Sequence, residues 1–361
     1  MKPPVEKLSG RGTVDNPPNR FEKLWLDANC DGAGEADSWP EEDEKPLPRT
    51  EFIRETTKSI IAHNDSPDIG FDTSVNPYRG CEHGCIYCYA RPTHEYLGFS
   101  SGLDFETKIV VKHNAPELLR KELSSRSWKP RVVAMSGVTD CYQPIERDLK
   151  LTRRCLEVLA DFRNPVGIVT KSYLITRDVD VLQQLAAYQA VTVCISVTTL
   201  SREVARKMEP RASAPHKRLK AIETLSKAGI PVGVLVCPVV PGLTDHEIPA
   251  LLQAASNSGA CFAGYNMIQL PYAVKDLFDD WLQIHFSERR DKVLSKICAI
   301  RGGKLYDADF GQRMTGQGVI AEQISSLFRI GRRKAGIPER GPRLSAAAFR
   351  RPTRGQLELF D

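Results

Sequence analysis

The sequence has no apolar run of membrane-spanning length and no apolar stretch near Met1. A helix needs about 20 consecutive apolar residues to cross a bilayer, so a spanning helix is excluded and a cytoplasmic protein without a membrane partner is expected. Net charge is also scarce: 50 Lys and Arg against 45 Asp and Glu leave +5, which does not by itself imply nucleic acid. A second Cys-x2-Cys pair is absent. Structural zinc sites close with four ligands, often as two separated pairs, so that pattern is not written here. A disulfide framework is not expected either. The ten cysteines are scattered. Cys30, Cys141, Cys155, Cys194, Cys237, Cys261 and Cys298 lie apart from one another, several in apolar runs, and read as reduced, buried thiols.

What is present is the loop Gly80-Cys81-Glu82-His83-Gly84-Cys85-Ile86-Tyr87-Cys88-Tyr89. Its cysteines stand at Cys-x3-Cys-x2-Cys, close enough for one short loop to wrap a corner of a cubic cluster. Thiolates are the ligands of iron–sulfur clusters, and a [4Fe–4S] cluster has four irons. Cys81, Cys85 and Cys88 therefore leave one iron open to a small chelating ligand. A zinc site completed by His83 or His94 is the competing use of the same loop.

The rest of the chain alternates. A first strand near 71–75 and the segments near 132–135, 166–170, 191–197, 232–236 and 261–270 read as strands. Helical patterns near 116–124, 149–162, 178–188, 215–228 and 245–256 lie between them. Continuous apolar strands alternating with amphipathic helices make an α/β fold with a parallel sheet buried on both faces. Its form is a partial (β/α)6 TIM-type barrel. The expected organisation is a disordered arm over 1–50, a barrel core over 51–272, a helical C-terminal extension over 273–337 and a basic tail over 338–361. In parallel barrels the active site lies at the carboxyl ends of the strands. Those ends carry Gly137-Val138-Thr139-Asp140-Cys141-Tyr142, Thr170-Lys171 and Ser196.

The pattern Cys81-x-His83-x-Cys85-x-Tyr87-Cys88-Tyr89, then Thr139-Asp140, then Thr170-Lys171, resembles the radical S-adenosylmethionine (SAM) superfamily, in its spore photoproduct lyase-like branch. The resemblance runs from about Thr73 to Leu270. It implies a partial barrel holding a [4Fe–4S] cluster and SAM, with SAM's amino and carboxylate groups on the open iron. It implies an electron donor of flavodoxin or ferredoxin type, and cleavage of SAM to methionine and a hydrogen-abstracting 5′-deoxyadenosyl radical. It assigns SAM contacts to Tyr87, Gly137, Thr139, Asp140, Lys171 and Ser196. The lyase returns a hydrogen atom from a cysteine at the position that is Gly137 here, so its dimer-splitting reaction is not implied. Cys141, one residue after Asp140, is a relay candidate or, as the leading reading, a buried thiol, and Tyr142 is a further relay candidate at the mouth.

The last residues, Gln356-Leu357-x-Leu359-Phe360, resemble the peptide by which bacterial replication and repair proteins bind the DNA sliding clamp. Within this partner-binding peptide, which includes Leu357, Gln356 would occupy a polar subsite while Leu359 and Phe360 fill an apolar pocket. Two basic groups, Arg211 with His216, Lys217 and Arg218, and Arg313 with Arg329, Arg332, Arg333 and Lys334, could hold phosphates or be solvated helix faces. The expected function is radical SAM chemistry on nucleic acids, DNA first among them. A tRNA base, a peptide or a small molecule is the alternative substrate, and a cluster-carrying redox adaptor the non-catalytic one.

Overall fold

The structure, a computed structural model, describes residues 8, 10–21, 49–135 and 137–352. Short strands β1 (Glu51–Arg54) and β2 (Ile61–His63) precede β3 (Thr73–Val75), and β4 (Tyr78–Arg79) and β5 (Lys108–Val111) follow it. Then come β6 (Val133–Met135), β7 (Val166–Thr170), β8 (Val191–Ser196), β9 (Val232–Val239) and β10 (Ala263–Met267). The helices are α1 (Leu103–Thr107), α2 (Ala115–Ser124), α3 (Glu146–Leu149), α4 (Leu151–Phe162), α5 (Val179–Ala186) and α6 (Arg202–Met208). They continue with α7 (Pro215–Lys227), α8 (Ile248–Asn257), α9 (Val274–His285), α10 (Ser287–Ala299) and α11 (Gly318–Lys334). Among the described residues no helix is long and apolar enough to cross a membrane.

The main sheet has the order β10-β9-β8-β7-β6-β3-β2. Every pair from β3 to β10 is parallel, with Val166 opposite Val191 and Val193 opposite Val232. β3 and β10 do not pair, so the barrel is partial, as expected. Side chains alternate across a strand. Val133 and Met135, Val166 and Ile168, Val191, Val193 and Ile195, and Val232, Val234 and Val236 all join the large core under the helices. The helices present matching stripes: Leu151, Cys155, Leu156, Leu159 and Phe162 recur at helical spacing along α4 and are buried. Each such side chain contributes on the order of 1.5–3 kcal/mol by leaving water. The alternate residues, ending in Lys171, Ser196, Cys237 and Asn266, face the inside of the curved sheet.

Several features depart from the sequence expectation. A small sheet, β1-β5-β4, stands beside the barrel, and β4 lies between β3 and the cysteines. β2 adds an antiparallel edge to β3. Strands of two to four residues are too short to show a period-two pattern, which is why they were not legible. The disordered arm expected over 1–50 needs correction at residues 10–21. Thr13 and Asn19 are buried, and Asn19 donates to the carbonyls of Glu95 (2.9 Å) and Phe99 (3.2 Å). Side-chain partners far along the chain, which no local pattern reveals, order this segment.

The loose basic tail needs the same correction over 341–352. Ser345 N donates to Gln189 O at 3.0 Å, and Arg350 N to Phe162 O at 2.9 Å. The Arg351 guanidinium donates to the carbonyls of Ser125 (3.1 Å) and Trp128 (3.0 Å), and Phe349 packs on Phe162 with centroids 6.1 Å apart. These acceptors lie at helix ends and strand starts, where unsatisfied carbonyls collect. The tail is thus a strap across the face opposite the mouth. Gln356, Leu357, Leu359 and Phe360 lie outside the described residues.

Candidate active site

The cluster loop is held by turns and by a buried ion pair beneath it. Gly80 and Gly84 adopt φ of 78° and 64°, the left-handed region that favours glycine. A Cβ at Gly84 would stand 2.6 Å from Glu106 Oε2, so no side chain fits there. Gly84 N donates to Cys81 O at 3.3 Å, Cys88 N to Cys85 O at 3.2 Å, and Ile86 N to Met208 O at 3.0 Å. Arg91 donates to Cys85 O at 3.1 Å and pairs with Glu106 at 2.5 Å, both side chains being 0 % exposed. A buried carboxylate is stable only when its remaining lone pairs are satisfied. Gly12 N (2.9 Å) and Thr13 N (3.1 Å) complete Glu106. The N-terminal segment therefore lies directly on the cluster loop, so close that a Cβ at Gly12 would meet Gly84 O at 1.7 Å.

The donor set fits an iron–sulfur cluster and not zinc. Cys81 and Cys85 are buried and Cys88 is half-buried. Burial pushes the Cys81 thiol well up, and the Cys85 thiol up to about 12 against the pull of Lys171, so cluster loading must release protons. Neither histidine that could have completed a zinc site converges with the cysteines on one ion. His94 Nε2 lies 2.9 Å from Lys108 O, and the ring sits against Phe99 and Phe105, where burial lowers it to about 4. His83 Nδ1 stands 3.3 Å from Asp140 Oδ2, off the line of a hydrogen bond. Among the described residues no three His, Cys, Asp or Glu side chains converge on one ion. A cubic cluster asks for something else, since each cysteine binds a different iron.

Lys171 faces this loop from the end of β7. Its Nζ is 5.8 Å from the Tyr87 ring centroid, and no described carboxylate lies within ion-pair distance of it. Burial alone would lower its ammonium, but Cys85, Glu209 and Cys237 together raise it. An ammonium kept charged yet unpaired suits a carboxylate ligand. Behind it, Glu209 and Arg218 form a pair 0 % and 1 % exposed. Glu209 also accepts from the hydroxyls of Tyr87 and Thr198. Burial alone would raise Glu209, and Arg218 and Lys171 hold it below the usual range.

The sequence-assigned residues divide into two groups. Lys171 and Ser196 lie at the carboxyl ends of β7 and β8. Tyr87 lies in the cluster loop, but its hydroxyl is committed to Glu209. Asp140 is not available to an ammonium group. It accepts from Thr170 Oγ1 (2.7 Å), Lys171 N (2.8 Å) and Tyr142 N (2.9 Å). Burial alone would raise it, but His83 and these donors bring it down to about 2. Thr139 donates to Gly80 O at 2.6 Å and so fixes the loop. At Gly137 a Cβ would meet Ser74 and Asn76 at 3.4–3.6 Å, ordinary contact, so protein packing does not require a glycine there. Cys141 is the buried thiol of the leading reading, and as relay candidates neither it nor Tyr142 is at the mouth. Both are 0 % exposed within the core, and Tyr142 OH donates to Asp178 at 3.1 Å. The first basic group is also corrected in part. Arg218 is buried against Glu209, and Arg211 pairs with Glu82 at 3.0 Å. In the second, Arg313 pairs with Asp68 at 2.5 Å. Sequence reasoning missed Glu209, Cys237 and Asn266. Cys237 lies among Lys171, Asn266, Glu209 and Cys88, and burial raises its thiol. The signal was available: continuing the alternation of Val232, Val234 and Val236 puts residue 237 on the inner face.

Comparison with known proteins agrees with this geometry. The family model described as Radical SAM superfamily matches residues 75–255. An uncharacterized protein of Mycobacterium tuberculosis (strain ATCC 25618 / H37Rv) is 37% identical over 214 residues, 59% of this chain and 63% of that protein. This chain thus spans less than two thirds of that relative's length. The Radical SAM Nalpha-GlyT isomerase of Pseudomonas phage M6 is 25% identical over 226 residues, 62% of this chain and 45% of that protein. Among solved structures, spore photoproduct lyase complexed with dinucleoside spore photoproduct superposes with a TM-score of 0.59 at 16% identity, covering 83% of this chain and 85% of that one. The shared fold, the three-cysteine loop and the matched family model together place this chain in the radical SAM superfamily, whose enzymes use a [4Fe–4S] cluster and SAM.

Proposed function

We propose that this radical SAM enzyme acts on nucleic acid, with Cys81, Cys85 and Cys88 holding the cluster and Lys171 holding the SAM carboxylate. When bound, the cluster and SAM supply a strongly hydrogen-abstracting radical. The chain's own residues orient and enclose that chemistry. Lys171 offers a fixed positive charge. Glu209, pinned by Arg218, keeps Tyr87 in place and Lys171 protonated. Asp140 fixes the backbone of Lys171 and the hydroxyl of Thr170. The observation that carries the cofactor assignment is the charged, unpaired Lys171 ammonium beside the cysteine loop. The nucleic-acid reading is supported by the fold shared with a lyase solved with a dinucleoside photoproduct. Reduced, reconstituted protein is expected to convert SAM to methionine and 5′-deoxyadenosine, measured by chromatography. Lys171→Ala should weaken SAM binding roughly 10- to 150-fold, from loss of a hydrogen bond to a charged group worth about 1.5–3 kcal/mol. Unchanged SAM affinity in a titration of that variant would remove Lys171 from the pocket.

The terminal peptide is proposed as a sliding-clamp tether. The strap brings the chain to residue 352 beside the strand starts, so a tether beginning there leaves the mouth open. Arg350 and Arg351 bind carbonyls of the body, so they are not a free basic linker. Replacing Leu359 and Phe360 together by alanine should abolish binding to purified clamp in calorimetry and leave SAM cleavage unchanged. Equal heats from parent and variant would remove the tether.

A further inference from the structure

We propose that Arg20, Phe21, Tyr96 and Tyr272 form a stacking platform for an unpaired nucleobase of the substrate strand. This inference rests on the nucleic-acid reading above and names how that substrate is held. Phe21, Tyr96 and Tyr272 are 53 %, 71 % and 56 % exposed, yet they are gathered around one cation. The Arg20 guanidinium lies 3.8 Å from the Tyr272 ring centroid, 4.8 Å from that of Phe21 and 5.6 Å from that of Tyr96. Phe21 and Tyr96 are themselves 5.0 Å apart. Arg20 is anchored by Glu95 at 2.6 Å, whose side chain is 1 % exposed, so the cation is fixed from beneath. Tyr272 adopts φ 50°, a strained conformation for a bulky residue, and carries its ring outward onto Arg20.

The position is the rim of the barrel mouth. Tyr96 belongs to the 3-10 segment Arg91–Leu97 that follows the cysteines. Tyr272 lies in the loop after β10, and Arg20 ties the two together. Open aromatic faces around a fixed guanidinium suit a flat π system. A nucleobase presents such a face only when it is out of the duplex stack, and stacking of this kind tolerates any base. The charge balance favours the same occupant. Tight duplex binding through phosphates requires many free cations. This chain carries a net charge of only +5, and Arg211, Arg218 and Arg313 near the site already have carboxylate partners. Stacking is the means of retention that the platform itself supplies.

The test uses the full chain and a short fluorescein-labelled single-stranded DNA, read by anisotropy, with the matching duplex as comparison. The single strand should bind more tightly than the duplex. Tyr96→Ala and Phe21→Ala should each weaken it roughly 5- to 150-fold, from about 1–3 kcal/mol of stacking per base. Tyr96→Phe should bind as the parent does. Both positions are exposed, so thermal melting should be unchanged. Single-strand binding that survives both alanine variants overturns the platform and leaves the nucleic-acid reading intact. Absence of binding to either DNA form by the parent overturns both. A preference for duplex overturns the unpaired base.

Discussion

Cys88→Ala should leave the chain without its iron. Anaerobic reconstitution of the native sequence is expected to give about four irons per chain and a brown chromophore, and the variant close to none. Cys88 is the most accessible of the three cluster cysteines, since Cys81 and Cys85 are buried. The loop turns on itself through Cys88 N to Cys85 O and Gly84 N to Cys81 O, so its geometry survives loss of one sulfur and only the ligand disappears. Two thiolates cannot retain a cube against chelators when both must also be held deprotonated in a buried setting that raises them. Cys155→Ala is the matched control. That thiol is fully buried in α4, and burial raises it above the range of a reactive thiolate, so its loss should lower stability by about 1–2 kcal/mol and leave the iron content unchanged. Retention of iron by Cys88→Ala would sink the assignment.

The residues of the cluster loop were legible because their chemistry is local: cysteine spacing and two glycines lie within ten residues. β6, β7, β8 and β9 were legible for a similar reason, since a sheet covered on both faces favours apolar runs, while β3 and β10, TSV and AGYNM, were placed by the alternation with helices. Lys171 and Ser196 followed from strand ends. What was hidden depends on partners far along the chain. Glu106 binds Gly12 and Arg91, and nothing in the residues around Gly12 announces a carboxylate more than ninety positions away. Asp140, Cys141 and Tyr142 sit in one turn whose side chains diverge, Asp140 toward Lys171 and the other two into the core. A sequence shows their adjacency but not the direction each takes. The same limit explains Arg218. As one of four basic residues near the start of α7 it reads as surface, and only the opposed Glu209 reveals it as the inner half of a pair.

That pair carries the other large expected effect. Arg218→Met should lower the melting temperature by roughly 6–20 °C, from a loss of about 3–5 kcal/mol when one partner of a buried ion pair is removed. Glu209 is then a buried carboxylate whose remaining donors are the hydroxyls of Tyr87 and Thr198. The nearest mobile cation is Lys171, which already acts on Glu209 electrostatically. The variant should therefore also bind SAM more weakly, because Lys171 is drawn back to neutralise Glu209. Replacing both residues, Glu209→Met with Arg218→Met, separates the two effects. A matched apolar pair of similar volume removes the stranded charge, and most of the melting temperature should return. SAM binding should recover only in part, since Tyr87 has then lost its main acceptor. Calorimetric melting and SAM titration of the three proteins decide the matter. An Arg218→Met protein that melts within about 1 °C of its parent, where each kcal/mol moves the midpoint by about 2–4 °C, would show that Glu209 is not held as a buried charge, and Lys171 would then need another source for its raised affinity for protons.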